Sequence, residues 1–293
     1  MNKNDTWMTA HDDEGNLIFL NADTGEIDEG VIYHVRTGSK VFVKAPEQAA
    51  QEQNKNKKIR RYRGENFYFM SKNLDFGIIP SDLTKLVYLH SFGRYIDNML
   101  MKSERQPMTV DDLPKILNTS AETVRKFLKN VVPKYLTIDD DKVIHSNDNY
   151  FIKGRLKNNT WIKVYQSGIK SLYQSNAKTA QKQIGYIFML LPYLNIEYNV
   201  LCHNPAETDF NKIQPMTITE FCHNIGYDTT QYKRLINAYG KIILNINGKK
   251  EKFCSFLIEN TDLSKAKIIV NPEVLYSGNH KDELKIPGAF SVS

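Results

Sequence analysis

An internal repeat constrains the fold of this chain more than any other feature of its sequence. The segment Pro107–Leu113 (PMTVDDL) recurs as Pro215–Phe221 (PMTITEF), and the register continues without a gap to Lys129 and Asn237. Further matches keep the same order along the chain: Leu86–Leu89 with Ile184–Ile187, Phe67–Met70 with Trp161–Val164, and Asn147–Gly154 with Asn271–Gly278. Because weak matches in a common order argue against chance, we infer two copies of one domain.

Each copy is predicted to contain a long helix followed by two shorter helices. Apolar residues predict a long, largely buried helix over Asp82–Met101. Thr109 with Asp112, and Thr217 with Glu220 in the second copy, then have the spacing of a helix-capping box. That short helix is expected to end near Asn118 and near Gly226, since both residue types tolerate a left-handed cap.

A second short helix follows at once in both copies. Thr119 or Ser120 is the expected cap in the first copy, and Asp228 in the second. The positions predicted to face the core are Val124, Phe127, Leu128 and Val131 in the first copy, and Tyr232, Leu235, Ile236 and Tyr239 in the second.

A β-hairpin is expected to close each copy. The first would pair Tyr135–Ile138 with Val143–His145 across Asp139–Asp141, and the second would pair Ile242–Ile246 with Phe253–Ile258 after an Asn247-Gly248 turn. Helix, short helix, tight turn, helix and hairpin together indicate a winged helix-turn-helix, whose last helix can enter the major groove of DNA.

The fold prediction is therefore α+β, with tandem winged helix-turn-helix domains behind a small N-terminal β-hairpin segment. The predicted parts are an acidic β-rich head (1–46), a polar and basic linker (47–64), winged-helix domain 1 (65–156), winged-helix domain 2 (157–280) and a tail (281–293). Within the head we expect strands at Leu17–Leu20, Val31–Val35 and Val41–Val43.

The charge distribution favours a polyanionic partner for the repeats. Residues 1–54 carry 4 basic and 10 acidic side chains, whereas residues 55–293 carry 35 basic and 23 acidic ones. The densest cationic run, Lys55–Arg63, is either a solvated linker or an arm that follows phosphates. A basic body attracts nucleic acid, although winged helices also serve as protein-binding modules.

The side chains predicted to contact DNA lie on four segments. They are Ser120, Glu122, Arg125, Lys126 and Lys129 on the first recognition helix; Thr229, Thr230, Gln231, Lys233, Arg234 and Asn237 on the second; Lys249, Lys250 and Lys252 at the second wing; and Lys57, Lys58, Arg60, Arg61 and Arg63 in the linker. The first wing carries three aspartates that would repel phosphate, so it is expected not to touch DNA.

Enzymatic and metal chemistry find little support in the sequence. There is no G-x-x-x-x-G-K-[ST] loop, and the seven histidines form no H-x-H pair. Cys202-His203 and Cys222-His223 are residue types that could bind zinc. We expect Cys222, however, to face the protein core from its helix while His223 points elsewhere. We therefore predict no enzyme activity, no metal and no cofactor. Scattered cysteines, no secretory signal and no apolar run near 18 residues favour a reduced, cytoplasmic protein without a membrane partner.

The order of these features resembles the winged-helix replication initiators of plasmids and phages of low-GC Gram-positive bacteria, notably the RepL type. The residues that carry the resemblance are Thr24–Ile27, Trp161–Tyr165, the helix-turn-helix and Val270–Gly278. The departure is the duplication, since that family carries one such unit; a doubled unit is similar to the broader class of initiators that grip repeated origin sequences with both domains. The resemblance implies binding to origin DNA and recruitment of host replication proteins.

Three functions follow as hypotheses. The first is a sequence-specific double-stranded DNA-binding protein of a phage or plasmid, acting in replication initiation. The second is a phage or plasmid transcriptional regulator with the same contacts, which would meet host transcription proteins instead. The third is a protein-binding adaptor that acts on host machinery. A homodimer is compatible with any of them.

Overall fold

The structure, a computed structural model, describes residues 7–11, 17–21, 27–28, 34–36, 39–41, 67–72, 77–95, 97–153, 161–246, 248–258, 261–278 and 290. The chain divides into two compact units, Met1–Glu65 and Asn66–Ser293. Both copies of the repeat belong to the second unit, and the described part is an α+β fold with antiparallel sheets.

The first unit contains two small antiparallel sheets. β1 (Trp7–His11), β2 (Leu17–Asn21) and β3 (Ile27–Asp28) form one in that order, and β4 (His34–Arg36) pairs with β5 (Ser39–Val41). The strand predicted at Leu17–Leu20 is confirmed. The strands predicted at Val31–Val35 and Val41–Val43 lie only partly within the described residues, and the sequence analysis missed β1.

The second unit has seven α-helices and twelve strands within the described ranges. The helices are α1 (Pro80–His90), α2 (Leu113–Ile116), α3 (Ala121–Val131), α4 (Gln166–Ser175), α5 (Gln181–Met189), α6 (Ile218–Asn224) and α7 (Tyr232–Tyr239). The strands are β6 (Phe67–Ser71), β7 (Met101–Ser103), β8 (Gln106–Pro107), β9 (Leu136–Ile138), β10 (Ile144–Ser146), β11 (Phe151–Ile152), β12 (Trp161–Tyr165), β13 (Ile243–Ile246), β14 (Lys249–Lys252), β15 (Cys254–Leu257), β16 (Lys267–Val270) and β17 (Leu275–Tyr276).

One four-stranded sheet joins the two copies. Its order is β11-β6-β12-β17, so the first strands of the two copies lie side by side and the last strands flank them. The hydrophobic core is continuous across the copies: the same cluster contains Leu86 and Phe127 of the first copy and Ile184 and Leu235 of the second. No described helix combines the length and the apolar character that a membrane crossing requires.

The first long helix is shorter than predicted. α1 begins at Pro80, whose fixed φ suits a first helical turn, and it ends at His90 rather than at Met101. Gly93 follows it, Asn98 adopts a positive φ of 51°, and Leu100 forms an isolated bridge to Gly93. The prediction that Leu100 and Met101 are helical is wrong: Leu100 is buried and Met101 half-buried, and both lie in an extended segment.

The second hairpin was also predicted with the wrong partner. β13 pairs with β14, with Ile246 opposite Lys249 across a two-residue turn that contains Gly248 at a φ of 80°. The predicted partner, Phe253–Ile258, instead holds β15, which pairs with β16. The sequence analysis therefore fused two separate hairpins into one.

Candidate nucleic-acid interface

A tight left-handed turn separates the two short helices in each copy. Asn118 has a φ of 47° and Gly226 a φ of 65°, as expected for residues that end a helix. Ser120 then caps α3 by accepting a hydrogen bond from the Thr123 N–H (3.2 Å), and Asp228 accepts one from the Thr230 N–H (2.9 Å). The caps at Ser120 and Asp228 are confirmed, and they fix the direction in which each last helix leaves its turn.

The preceding short helices carry the predicted capping boxes. The Thr217 N–H donates to the Glu220 carboxylate at 2.7 Å, and the Thr109 N–H donates to Asp112 at 2.9 Å. These backbone hydrogen bonds lower the pKa of both carboxyl groups. Both boxes therefore hold an ionised acid at a helix start at neutral pH.

In the first copy, α3 buries one side and exposes the predicted contact residues on the other. Val124, Phe127 and Val131 are buried. The predicted contact side chains are all exposed, namely Ser120, Glu122, Arg125, Lys126 and Lys129. Glu122 pairs with Lys126 at 2.8 Å, but both side chains are more than 70% exposed, so solvent screens the pair and it adds little stability.

In the second copy, α7 and the 3₁₀ turn Thr229–Gln231 before it have the same arrangement. Leu235 and Tyr239 are buried, and the six predicted contact residues are exposed, namely Thr229, Thr230, Gln231, Lys233, Arg234 and Asn237. Within the described part of the chain, no carboxylate pairs with Lys233 or Arg234. The Thr230 hydroxyl is already used, because it donates to Asp228 at 2.8 Å.

A groove runs beside each of these helices, and the two grooves have equivalent walls. The groove in the second copy, about 690 Å³, is lined by Thr179, Gln183, Gln231, Arg234, Asn237 and further residues. The groove in the first copy, about 430 Å³, is lined by Ser81, Lys85, Thr123, Lys126, Lys129 and further residues. The sequence analysis missed Thr179, Gln183, Ser81 and Lys85, because they come from the preceding long helices or their starts and only tertiary packing brings them here.

The lysines assigned to the second wing lie on an additional hairpin. The Asn147 N–H donates to the Tyr135 carbonyl in the first copy, and the Asn271 N–H donates to the Phe253 carbonyl in the second, so Tyr135 and Phe253 are equivalent. The hairpin β13–β14 therefore lies between α7 and the strand that corresponds to β9. The equivalent of the first wing is the β15–β16 connection, and Lys249, Lys250 and Lys252 belong to an element that the first copy lacks.

Helix α4 anchors this additional hairpin. The Asn176 side chain, directly after α4, donates to the Ile243 carbonyl (2.6 Å) and accepts from the Ile243 N–H (3.1 Å), while the Asn245 N–H donates to the Ser171 hydroxyl (2.5 Å). Lys249 and Lys250 are exposed and Lys252 is half-buried. The hairpin thus presents two exposed positive charges and is anchored to α4 by these hydrogen bonds.

The wing of the first copy is acidic. Asp139, Asp140 and Asp141 are all exposed between β9 and β10. His145 lies 3.1 Å from Asp139 and, together with the Val143 N–H, lowers the pKa of that carboxyl. Asp139 therefore stays ionised at neutral pH; the expectation that this wing does not contact DNA stays a prediction.

The cysteine positions follow the predicted helix register. Cys222 is fully buried whereas His223 is exposed, so the two do not face one point. Burial raises the pKa of the Cys222 thiol to about 11 and keeps it protonated. Among the described residues there is no cluster of three or more His, Cys, Asp or Glu side chains that could hold a metal ion.

The cationic linker residues Lys57, Lys58, Arg60, Arg61 and Arg63 lie outside the described residues. The other residues predicted to contact DNA fall on α3, on α7 and the turn before it, and on one additional hairpin, all within a single unit. Comparisons of the chain with protein-family models, with curated proteins and with solved structures find no match.

Proposed function

We propose that this protein binds double-stranded DNA in a sequence-specific manner through two winged helix-turn-helix units, and that it acts in replication initiation of a plasmid or phage. The observation that carries the proposal is the exposed polar and basic side of the capped helix behind a tight turn, present twice in one unit. α3 offers Arg125, Lys126 and Lys129, and α7 offers Lys233 and Arg234.

The surrounding elements support a winged-helix assignment. In both copies a short extended segment follows the long helix and bridges the last strand of the closing hairpin, through Met99 and His145 in one and Val200 and Ile269 in the other. Long helix, bridging segment, helix, turn, helix and hairpin is the order of a winged helix, which places its third helix in the major groove.

The chemistry of the exposed side chains suits base and phosphate recognition. Arginine and lysine donate to guanine or to phosphate oxygens, while the Gln231 and Asn237 amides can both donate to and accept from adenine. A good base contact is worth about 1–3 kcal/mol, so a few such contacts per helix give useful discrimination. The replication role rests on the resemblance to the RepL type and on the duplication; a transcriptional regulator would use the same contacts.

A salt titration tests the proposal directly. We expect the full chain to bind random 40-bp duplex DNA with an affinity that falls steeply as salt rises, because each phosphate contact releases counterions. On a duplex that the full chain has selected from a random pool, the double variant Lys233→Ala/Arg234→Ala should lose about 2–4 kcal/mol of binding free energy and show a shallower salt dependence.

The matched control removes two positive charges elsewhere. Arg105, between β7 and β8, and Lys212, in the loop before α6, are both exposed and lie outside the proposed interface. Arg105→Ala/Lys212→Ala has the same net charge as the test variant, so it should bind nearly as well as the native chain. Equal losses in both double variants would mean that net charge alone drives binding.

One observation favours the adaptor function for the first copy. Its exposed Asp139–Asp141 wing repels phosphate and suits a basic protein surface. Binding that does not change with salt, and no measurable affinity for duplex DNA, would favour the adaptor over the DNA-binding function.

A further inference from the structure

The two first strands of the copies pair with one another in an antiparallel register. β6 and β12 form five residue pairs from Phe67 opposite Tyr165 to Ser71 opposite Trp161, and the central pair is Phe69 with Lys163. Both strands have the same alternation of buried and half-buried side chains. The sequence repeat aligns Phe69 with Lys163 as well, so equivalent residues meet at the centre of this pairing.

The last strand of each copy pairs with the first strand of the same copy at equivalent positions. β11 pairs with β6 through Phe151 and Met70, and β17 pairs with β12 through Leu275 and Val164. A backbone hydrogen bond beside each of these residue pairs also occurs in both copies. The Ser71 N–H donates to the Tyr150 carbonyl at 2.8 Å, and the Tyr165 N–H donates to the Val274 carbonyl at 3.0 Å. Antiparallel pairing of equivalent strands requires a two-fold rotation, whereas a translation would make the strands parallel. The copies are therefore related by an approximate dyad through Phe69 and Lys163.

The helices are arranged about the same dyad. α1 packs on α5 across it, with the Thr84 hydroxyl donating to the Gln181 carbonyl at 2.7 Å. α3 is held to α1 by the Asn130 amide, which donates to Asp82 at 2.8 Å, and α7 is held to α5 by the Tyr239 hydroxyl, which donates to the Gln183 carbonyl at 2.8 Å. A two-fold rotation leaves the direction along its axis unchanged, so α3 and α7 face the same end of the dyad.

From this geometry, and resting on the proposed DNA-binding function, we infer that one chain reads two half-sites in inverted orientation, centred about one helical turn apart. Duplex DNA has two-fold axes of its own, and a protein with a matching axis contacts half-sites related by that axis. Three helix–helix spacings of roughly 8–10 Å separate α3 from α7 at most. That upper limit of about 30 Å is of the same order as the ~34 Å that separates successive major grooves, so the geometry allows one helix to lie in each groove.

The two halves of the site differ in base sequence, because the reading side chains differ. Arg125, Lys126 and Lys129 in one copy correspond to Lys233, Arg234 and Asn237 in the other. Only the second copy has the hairpin with Lys249 and Lys250. The dyad should therefore appear in the contacted phosphates rather than in a palindromic sequence.

Ethylation interference on both strands separates the alternatives. The probe is a 40-bp duplex selected from a random pool by the full chain. We expect two clusters of essential phosphates, on opposite strands and related by a dyad. Lys233→Ala/Arg234→Ala should remove one cluster and Arg125→Ala/Lys126→Ala the other, each with a roughly 30- to 900-fold loss of affinity. The substituted side chains are exposed, and circular dichroism verifies that each variant is folded.

The outcomes distinguish this inference from the proposed function. Two clusters on the same strand in translational register, or a single cluster that both variants remove, would overturn the inverted arrangement while leaving DNA binding intact. A pool that yields no salt-dependent duplex binding would remove the proposed function and the half-site arrangement with it. A five-base-pair insertion at the centre of the selected site should lower affinity to that of a single half-site, since it turns one half to the opposite face of the duplex.

Discussion

A substitution at Gly185 gives the most direct test of how the two copies pack against each other. It lies in the middle of α5, where glycine costs about 1 kcal/mol relative to alanine. A Cβ atom at this position would lie 1.9 Å from the Pro80 carbonyl oxygen and 2.7 Å from the Pro80 Cα. Ordinary carbon contacts lie at about 3.5–4 Å, so alanine forces α1 and α5 apart by more than ~1 Å.

The size of the expected effect follows from two opposing contributions. Overpacking a core costs about 1–3 kcal/mol, and the upper part of that range applies because the obstacle is backbone at a proline with a fixed φ. The better helix propensity of alanine returns about 1 kcal/mol. Gly185→Ala should therefore lower the free energy of unfolding by about 2 kcal/mol, which corresponds to roughly 1 M in the urea midpoint and about 4–8 °C in Tm.

Gly240→Ala is the matched control. Gly240 follows α7 with a φ of −59°, and its nearest atoms to a new Cβ lie at 3.6 Å. Here alanine should leave stability unchanged or raise it by up to about 1 kcal/mol through the unfolded state. Urea unfolding followed by circular dichroism measures both variants. Equal stability of Gly185→Ala and the native chain would refute the close approach of α1 and α5, and with it the arrangement of helices about the dyad.

Two further predictions concern a buried histidine and the additional hairpin. Burial lowers the pKa of His90 to about 3, with its Nδ1 bonded to the Leu86 carbonyl at 2.7 Å. The imidazole is therefore protonated below about pH 6.5 in the unfolded state but only below about pH 3 in the folded state. The free energy of unfolding keeps its full His90 contribution above pH 6.5 and falls as the pH drops from 6.5 toward 3. The urea midpoint should decline over this range in the native chain and less steeply in His90→Leu; equal slopes would contradict the assignment. For the hairpin, Asn176→Ala removes both hydrogen bonds to Ile243, worth about 2 kcal/mol together, so amide exchange over 243–252 should accelerate roughly 10- to 30-fold while α3 keeps its protection. Unchanged exchange would mean that other contacts hold the hairpin.

Local signals predicted the starts and ends of the short helices in both copies closely, because capping is decided within four residues. Thr217 with Glu220, Ser120 and Asp228 all form the expected caps, and Asn118 and Gly226 both take the left-handed conformation. The buried faces of α3 and α7 also follow from helical spacing. For the same reason the exposure of Arg125, Lys126, Lys233 and Arg234 could be read from the chain alone.

Longer-range features were predicted less well. The periodicity of Asp82–Met101 did not distinguish a helix from a helix followed by a buried extended segment, because both bury leucine and methionine. The Asn247-Gly248 signal correctly indicates a tight turn, but a turn signal does not say which downstream strand completes the pairing. Register over a longer distance depends on hydrogen bonds that strands make with residues far away in the chain, such as Asn271 with Phe253.

By itself the sequence determined that the chain contains a duplicated unit, where its short helices start and stop, and which of their side chains face water. Only the tertiary structure decided how the two copies of the repeat meet. Their first strands lie side by side in one sheet and pair antiparallel at Phe69 and Lys163, and one copy carries an additional lysine hairpin. The physical reason is that caps and helical faces are set by neighbours within a few residues. Strand pairing between Phe69 and Lys163 instead depends on burial and hydrogen bonding across the whole unit.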